Sequence, residues 1–412
     1  MRVAVLFGGI CLSFRKTMDF ADLWNDQRGL TGSELGAVRI AEELAAAGHS
    51  VTLYTVSADK EWRGVKIANL ADGIAECDVA VAINEPDLLR AVPPGAFRVC
   101  AFWLNGMTHV RADFEPHVDL FCSPSAPHLH QVLTNPDWRK VETGPDHPDV
   151  KATYEPDPSK WCVLPLGCDP ERYAHQPGEM KIPGRVVHCS SPDRGFHWLA
   201  QEWPAIKRAV PHATLHVFYR FDPWLRGFDG TPFFPAIEAL RARALYVEEC
   251  LRRFKDLGGL DVTLRDSVSR HTIEREMAQA EVLAYPCHTT TWSEGFSCTT
   301  LEACAARACP IISDCDALGE VYGDAARVTK ITADGSWVQR WRNDVIRALT
   351  DEAWRNETNG RAEALARTLT WKRMVERLLT EIETRTARPR QQEASSRSPT
   401  VDTSATPAAS PT

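Results

Sequence analysis

No run of about 18 consecutive apolar residues occurs in the 412-residue sequence, which predicts that no segment spans a membrane. The sequence also lacks a basic excess, because 47 Lys and Arg against 55 Asp and Glu leave a net charge of −8. Proteins that bind nucleic acid usually carry a basic excess or stripe, so we expect no nucleic-acid partner. Neither a G-x-S-x-G sequence nor a P-loop is present, which excludes two common classes of enzyme.

C-x-x-C pairs are absent as well, although the chain has 13 cysteines. The cysteines are scattered and odd in number, and Cys100, Cys189 and Cys304 fall inside expected strands and helices. This pattern indicates reduced, buried thiols, and we expect a cytoplasmic protein. The apolar residues Val3–Phe7 run into glycines without the cleavage site of a signal peptide, which favours a buried first strand.

Short apolar strands alternate with amphipathic helices along most of the chain, a pattern that predicts parallel sheets covered on both faces. One series begins at Val3–Phe7 and a second at Arg185–His188, so we expect two α/β domains. The predicted parts are an N-terminal domain over 1–164, a linker over 165–182, a C-terminal domain over 183–365, a helix over 366–386, and a disordered tail over 387–412 that is rich in Pro, Ser, Thr and Ala.

Two glutamates, Glu294 and Glu302, are separated by seven residues in the most informative segment. Thr299 and Thr300 stand at the start of a predicted helix, where free N–H groups and the macrodipole attract phosphate. Gly295 allows close approach to the backbone, and Glu302 is placed to accept hydrogen bonds from a ribose diol. The pattern describes a nucleotide-sugar site. The structural alternative is that Thr299 or Thr300 only caps the helix and Glu302 is an early-turn acid.

This segment resembles the E-x7-E donor motif of the retaining GT-B glycosyltransferases of family 4. Glu294–Arg307 follows the family form EGFxxTxLEAxAxG, with Arg307 in place of the final glycine. Leu164–Asp169 is similar to the P-x-G-x-D interdomain segment, and Cys189–Gly195 matches a further family segment. Asp316–Glu320 resembles the later G-G-x-x-E only in its final glutamate. The resemblance implies the GT-B fold, in which two Rossmann-like domains face each other across a cleft, and a helix that crosses back.

The resemblance also implies roles for residues of the C-terminal donor domain. Arg194 would grip the donor diphosphate, Glu294 would orient the sugar and Glu302 would bind the ribose. Cys189 replaces a second basic residue that many relatives carry. The other implied donor contacts are Gly295, Phe296, Thr299, Thr300, Ser190, Ser191, Val268 and Tyr285, of which the last two lie on the side of the nucleobase.

In the N-terminal acceptor domain, residues 29–36 do not form G-x-G-x-x-G, so the dinucleotide fingerprint fails. They resemble the family's G-G-x-E loop, which implies that Gly32 and Ser33 approach the donor from across the cleft. A plain helix N-cap by Thr31 or Ser33 is the alternative. Asn105 stands where relatives often carry a histidine near the reacting carbon, and His109 follows four residues later. Either could donate a hydrogen bond to the sugar, or His109 is a surface residue.

Two patterns resemble metal-binding motifs. Asp314–Asp316 matches the D-x-D metal motif of the other glycosyltransferase fold, but its place after a strand fits a donor loop. His128 and His130 lack further Cys or His at ligand spacing, so no zinc site is expected. We therefore expect no metal.

The resemblance implies an enzyme that transfers a sugar from a nucleoside-diphosphate sugar to an acceptor hydroxyl with retention. The donor is a co-substrate, and no other cofactor is expected. The acceptor could be a glycan, a lipid, a small metabolite or a protein. Two alternatives stay open. Cys189, Asn105 and Arg307 at family positions favour a non-catalytic nucleotide-sugar-binding or assembly subunit, and a sugar-nucleotide epimerase is a third hypothesis.

Overall fold

Two parallel sheets with helices on their faces form the framework of the computed structural model. The structure describes residues 1–8, 18–58, 60–101, 110–111, 114–135, 139–140, 155–174, 180–219, 245–246, 248–252, 260–265, 267–289, 292 and 294–387. The predicted fold class, α/β with two Rossmann-like halves, is confirmed by these sheets.

The first sheet has the strand order β10-β8-β6-β5-β1-β2-β4-β3, and only the β3–β4 pair is antiparallel among its pairs. Its strands are β1 (Arg2–Leu6), β2 (Ser50–Thr55), β3 (Glu61–Trp62), β4 (Val65–Asn69), β5 (Val79–Ile83), β6 (Phe97–Ala101), β8 (Leu120–Ser123) and β10 (Trp161–Val163). Two short strands, β7 (Val110–Arg111) and β9 (Arg139–Lys140), pair separately. Helices α1 (Gly32–Ala46) and α2 (Ala126–Thr134) belong to this half. The central strand β5 is buried along its whole length, as its unbroken apolar sequence predicts.

The second sheet has the strand order β13-β12-β11-β14-β15-β16 and is parallel throughout. Its strands are β11 (Arg185–His188), β12 (Thr214–Phe218), β13 (Val262–Arg265), β14 (Val282–Tyr285), β15 (Cys309–Ser313) and β16 (Arg327–Thr329). The helices that follow in the chain are α3 (Phe196–Ala209), α4 (Arg270–Gln279), α5 (Cys298–Ala305), α6 (Leu318–Tyr322), α7 (Trp337–Thr350), α8 (Glu352–Thr368) and α9 (Trp371–Thr386).

Each sheet has a point at which its strand order reverses. The reversal lies between β1 and β5 in the first sheet and between β11 and β14 in the second. Loops that leave the carboxyl ends of such strand pairs diverge and open a crevice, which is where ligands bind in open α/β sheets. The sequence segments that carry the glutamates of the donor motif follow β14, directly at the second reversal.

The chain crosses between the two halves beside Gly167. Cys168 forms a bridge with Thr370, and the N–H of Cys168 donates to the carbonyl of Leu369 at 2.9 Å. Helix α9 then returns to the first half, where it packs against α1 and where Arg385 donates to the carbonyl of Trp161 at 3.3 Å. A Cβ on Gly167 would lie 2.2 Å from the backbone nitrogen of Trp371, so only glycine lets the two segments pass this closely.

None of the helices in the described ranges is both long enough and apolar enough to cross a bilayer.

Candidate active site

Glu294 lies beyond the carboxyl end of β14, and its side chain is only 2% exposed. Its Oε2 accepts a hydrogen bond from the Tyr285 hydroxyl at 2.6 Å and is ion-paired with the guanidinium of Arg194. Burial raises the pKa of Glu294, while the Arg194 charge and the hydrogen bonds from Tyr285 and Arg194 oppose that rise. The structure thus brings together three residues that the sequence predicted for the site.

A glycine fixes where Arg194 stands. Gly195 has φ +90°, and a Cβ there would lie 1.8 Å from the carbonyl oxygen of Pro286. The turn after β11 therefore passes directly under the loop after β14, which carries the Arg194 side chain across the strand reversal to Glu294. Ser190, on the same turn, donates to the Tyr285 hydroxyl at 3.1 Å, so one tyrosine oxygen links both loops.

The start of helix α5 is capped by Ser297, whose hydroxyl accepts from the N–H of Thr300 at 3.1 Å. The alternative in which Thr299 or Thr300 caps the helix is therefore wrong. Thr299 instead donates to the carbonyl of Cys189 at 2.7 Å, and Thr300 is fully buried. The hydroxyl of Thr299 thus ties the helix start to the end of β11, on the opposite side of the strand reversal.

Glu302 is paired with a residue that the sequence analysis missed. The guanidinium of Arg270 donates to its Oε1 at 2.5 Å and to Glu274 at 3.2 Å, and it also contacts the Tyr173 hydroxyl. Arg270 follows Ser269, the N-cap of α4, and is 8% exposed. Arg270 lies two residues after Val268, which the sequence placed on the side of the nucleobase, and this position was the available signal for Arg270. Sequence spacing alone, however, does not show that α4 lies against α5.

Asp316 stands at one of the family's glycine positions and keeps a glycine-like backbone with φ 53°. Its carboxylate accepts from the N–H of Glu294 at 2.8 Å and from the Thr289 hydroxyl at 3.1 Å. Asp314 accepts from the N–H of Ile331 at 2.7 Å. Both carboxylates of the D-x-D pattern therefore accept hydrogen bonds from backbone N–H groups.

The first half of the molecule contacts the loop after β14 directly. The Ser125 hydroxyl donates to the carbonyl of Gly295 at 2.7 Å, and a Cβ on Gly295 would lie 2.8 Å from the ring of His128. His128 is held by Ser123 at 2.6 Å, and burial lowers its pKa to about 4, so its ring is neutral at pH 7. Gly295 thus lets His128 and Ser125 of the first half pack closely against its backbone.

The glycine-containing loop before α1 also lies beside the second half. A Cβ on Gly29 would be 2.8 Å from the carbonyl of Val268, and one on Gly32 would be 3.7 Å from the sulfur of Cys298. Thr31 caps α1 through a capping box with Glu34, as one alternative predicted. Ser33 does not cap this helix and accepts from the amide of Asn84 at 3.0 Å.

The remaining predicted site residues divide into two groups. Phe296 is buried and packs against Tyr322, with ring centroids 5.8 Å apart, and Ser191 hydrogen-bonds Asp193 on the turn before Arg194. Asn105 and His109 lie outside the described residues. Within the described ranges, no group of three or more His, Cys, Asp or Glu side chains is arranged to hold a metal ion.

Residues 255–365 match the family of glycosyl transferases group 1. This range contains both glutamates of the donor motif and Arg270. No curated protein matches the sequence closely enough to count as a relative.

Solved structures share the architecture over nearly the whole chain. AviGT4, a glycosyltransferase of avilamycin A biosynthesis, is 15% identical with a TM-score of 0.61, covering 94% of this chain and 98% of its own. Sucrose-phosphate synthase from Thermosynechococcus elongatus is 13% identical, with a TM-score of 0.62 and coverage of 94% and 99%. HepE from Anabaena, in complex with UDP and glucose, is 14% identical, with a TM-score of 0.61 and coverage of 93% and 100%. The chain thus has the GT-B fold, and with the family match it is a glycosyltransferase.

Proposed function

We propose that this glycosyltransferase moves a sugar from a nucleoside-diphosphate donor to an acceptor hydroxyl, with retention at the anomeric carbon and without a metal ion. The observation that carries the proposal is the cluster of Glu294, Arg194 and Tyr285 at the strand reversal of the second sheet. The cluster lies where α/β sheets bind nucleotides, and the first half of the molecule closes against its loop through Ser125.

The donor would lie along the carboxyl edge of β11 and β14. Glu302 would bind the ribose through the oxygen that Arg270 leaves open, since Arg270 contacts Oε1. The N–H of Thr300 is capped by Ser297, so the diphosphate would bind the earlier N–H groups at the start of α5, which have no acceptor within the helix. HepE, which has the same fold, binds UDP and UDP-glucose, which supports a uridine nucleotide as the first donor to test.

Arg194 and Glu294 would have different roles at the reacting centre. The Glu294 carboxylate would accept hydrogen bonds from the sugar hydroxyls and hold the ring in place. Arg194 would offset the negative charge that develops on the leaving diphosphate, a stabilisation that is strong in a water-poor site. Because Arg194 already contacts Glu294, one guanidinium can position the sugar ligand and the leaving group together.

Retention follows from displacement on the face that the leaving group departs from. The bond between the anomeric carbon and the phosphate oxygen breaks, and the acceptor oxygen bonds to the same face of the carbon. The acceptor proton passes to the departing phosphate oxygen, so the step needs no nucleophile from the protein. Closure of the two halves would exclude water that otherwise hydrolyses the donor. Arg194 and the start of α5 would supply the positive charge that stabilises the leaving diphosphate. The proposed step therefore needs no metal ion.

Thermal unfolding with UDP, GDP, ADP, TDP, CDP and their sugars tests the donor site, each with and without EDTA. One diphosphate should raise the Tm because a ligand that binds only the native state stabilises it, and EDTA should leave the shift unchanged. Glu302→Gln should remove the shift. Glu281→Gln is the matched control, since Glu281 is also buried and paired with an arginine, Arg355 at 2.9 Å, but precedes β14 at its other end.

Turnover tests the chemistry separately. Slow donor hydrolysis should release a sugar whose anomeric configuration, read by NMR before mutarotation, is that of the donor. The opposite anomer would overturn retention, and loss of turnover with EDTA would overturn metal independence. Donor binding without hydrolysis or transfer to any acceptor would favour the non-catalytic subunit instead.

A further inference from the structure

Two cysteines face each other at the edge of the first sheet. Cys122 of β8 and Cys162 of β10 are register partners in a parallel strand pair, and their sulfur atoms lie 3.7 Å apart. Cys122 is fully buried, whereas Cys162 is partly exposed on the strand that ends this side of the sheet. The pair therefore combines one sheltered thiol with one that solvent can reach.

The backbone geometry suits a covalent link between these residues. Neighbouring strands lie about 4.8 Å apart, which is within the span of about 4.4–6.8 Å that disulfides bridge between Cα atoms. The sulfurs need only rotate toward each other, because the register already places the two residues side by side. No strand has to shift for the bond to form.

The surroundings make the two thiols unequal. In the structure the Cys162 thiol donates to the Cys122 sulfur, but a thiol hydrogen can rotate, and a hydrogen bond from Cys122 would stabilise the Cys162 thiolate. A hydrogen bond from Cys122 lowers the pKa of Cys162, and the charges of Arg385 and Arg377 lower it further, whereas burial and the charge of Glu381 raise it. The same hydrogen bond, together with burial, raises the pKa of Cys122. Because Cys162 is also the thiol that solvent can reach, we expect it to be the nucleophile and Cys122 to keep its proton.

Among the described cysteines, Cys287 also forms a hydrogen bond with a second thiol, that of Cys315, but both of these residues are buried. Cys77 is also partly exposed, but burial raises its pKa. Cys168, six residues after Cys162, is buried, and burial raises its pKa strongly. Cys77 therefore serves as an internal reference for exposure, and Cys168 for position in the chain.

We propose that Cys122 and Cys162 form a thiol oxidation site that reacts with peroxides and closes to a disulfide between β8 and β10. The Cys162 thiolate attacks one peroxide oxygen, the O–O bond breaks, and the departing hydroxide takes up a proton as water. The Cys122 sulfur then attacks the sulfenic sulfur of Cys162, the S–O bond breaks, and hydroxide leaves with the Cys122 proton as a second water. Two thiols and one hydrogen peroxide thus give one disulfide and two waters.

The site lies next to the crossing between the two halves. After Cys162 the chain continues through Leu164, whose N–H donates to the carbonyl of Ser123 at 2.7 Å, into the segment that contacts α9. Arg385 of α9 reaches back to the carbonyl of Trp161, beside Cys162. A disulfide here would join the edge strand to its neighbour, whereas both cysteines are free in the structure.

Titration of the reduced full-length protein with hydrogen peroxide, followed by alkylation and peptide mass mapping, tests the proposal. We expect a linked pair of peptides that is two hydrogen atoms lighter than the sum of its parts, with fragment ions that place the bond at Cys122 and Cys162. Cys162 and Cys168 share the tryptic peptide 161–172, so Cys168→Ser should leave the cross-link intact.

Two variants separate the steps. In Cys122→Ser the Cys162 sulfenic acid cannot close and should be trapped by dimedone, whereas in Cys162→Ser dimedone should label neither Cys122 nor Cys77 above background. Cys162→Ser changes a partly exposed residue, so the test survives if Cys122→Ser does not fold. A Cys162 that reacts no faster than Cys77, or a cross-link to a different cysteine, would overturn the proposal.

Discussion

The guanidinium of Arg194 is ion-paired with the carboxylate of Glu294, and both side chains are largely buried, at 13% and 2% exposure. The two residues are 100 positions apart and come from the loops on either side of the strand reversal. A buried charge that loses its partner is costly, so this pair ties the architecture of the site to the stability of its domain.

Arg194→Ala should lower the free energy of unfolding by about 3–5 kcal/mol, because it leaves the Glu294 carboxylate buried without a counter-charge. Adding Glu294→Gln should recover part of this loss, since the amide carries no charge. Urea unfolding of the two single variants and the double variant measures the coupling. Additive losses would show that the two charges do not stabilise each other.

The loss in Arg194→Ala should grow with pH. Burial already raises the pKa of Glu294, and removal of Arg194 raises it further. The native state then holds a proton that the unfolded chain has released, so the native state loses stability as pH rises above the ordinary carboxyl range. Unfolding at pH 5 and at pH 8 measures this slope, and an equal loss at both pH values would contradict it.

The sequence predicts much of the framework because strands and helices have local periods. Arg185–His188 forms a strand at its predicted bounds, and the strand predicted over Val3–Phe7 lies one residue earlier, at Arg2–Leu6. Trp161–Val163, with three residues, is too short to show a period, and it was missed although it ends the first sheet. Local pattern therefore identifies the sheets but not all of their edges.

Contacts at the site were less predictable because they depend on how distant elements meet. Arg270 reaches Glu302 across 32 positions, and Ser125 reaches Gly295 across 170. Sequence spacing does not reveal either contact. The first depends on the packing of α4 against α5, and the second depends on the packing of one half against the other. The roles of Glu294, Glu302 and Arg194 remain predictions that the experiments above can test.

Gly167→Ala should destabilise the crossing between the two halves by about 3 kcal/mol, as overpacking against rigid backbone does. The new methyl group would lie 2.2 Å from the backbone nitrogen of Trp371, and backbone cannot rotate away as a side chain can. Gly360→Ala is the matched control. Gly360 lies exposed in α8 with open space around it, and alanine there should raise the free energy of unfolding by about 0.5–1 kcal/mol. Thermal unfolding of both variants measures the two changes in stability. Equal changes in Gly167→Ala and Gly360→Ala would contradict the steric argument.

Lys181 should make stability rise with pH between about 7 and the ordinary lysine range. Its ammonium donates to the carbonyls of Ala280 and Ala306, and burial lowers its pKa to about 7 from the ordinary lysine value of 10.5. Between these two values the unfolded chain binds a proton that the native state lacks, so raising the pH favours the native state. Lys181→Met should flatten this slope in urea unfolding from pH 7 to 10. Lys160→Met should leave the slope unchanged because Lys181 is retained. An unchanged slope in Lys181→Met would contradict the prediction.

Arg307 should be a source of strain at the end of α5. It occupies the left-handed region with φ 56°, and the N–H of Ala308 donates to the carbonyl of Ala303 at 2.9 Å while that of Arg307 donates to Cys304 at 3.2 Å. This is a Schellman ending, in which the first residue after the C-cap is usually glycine.

Arg307 also pairs with Glu363 at 2.5 Å, so a simple replacement would change two interactions at once. The backbone effect is isolated in a Glu363→Gln background, where Arg307→Gly should raise the free energy of unfolding by about 1 kcal/mol because glycine adopts positive φ without steric cost. Urea unfolding of Glu363→Gln with and without Arg307→Gly gives the difference. No gain in that background would mean that the helix end holds Arg307 without strain, and that the departure from glycine at this position costs the fold nothing.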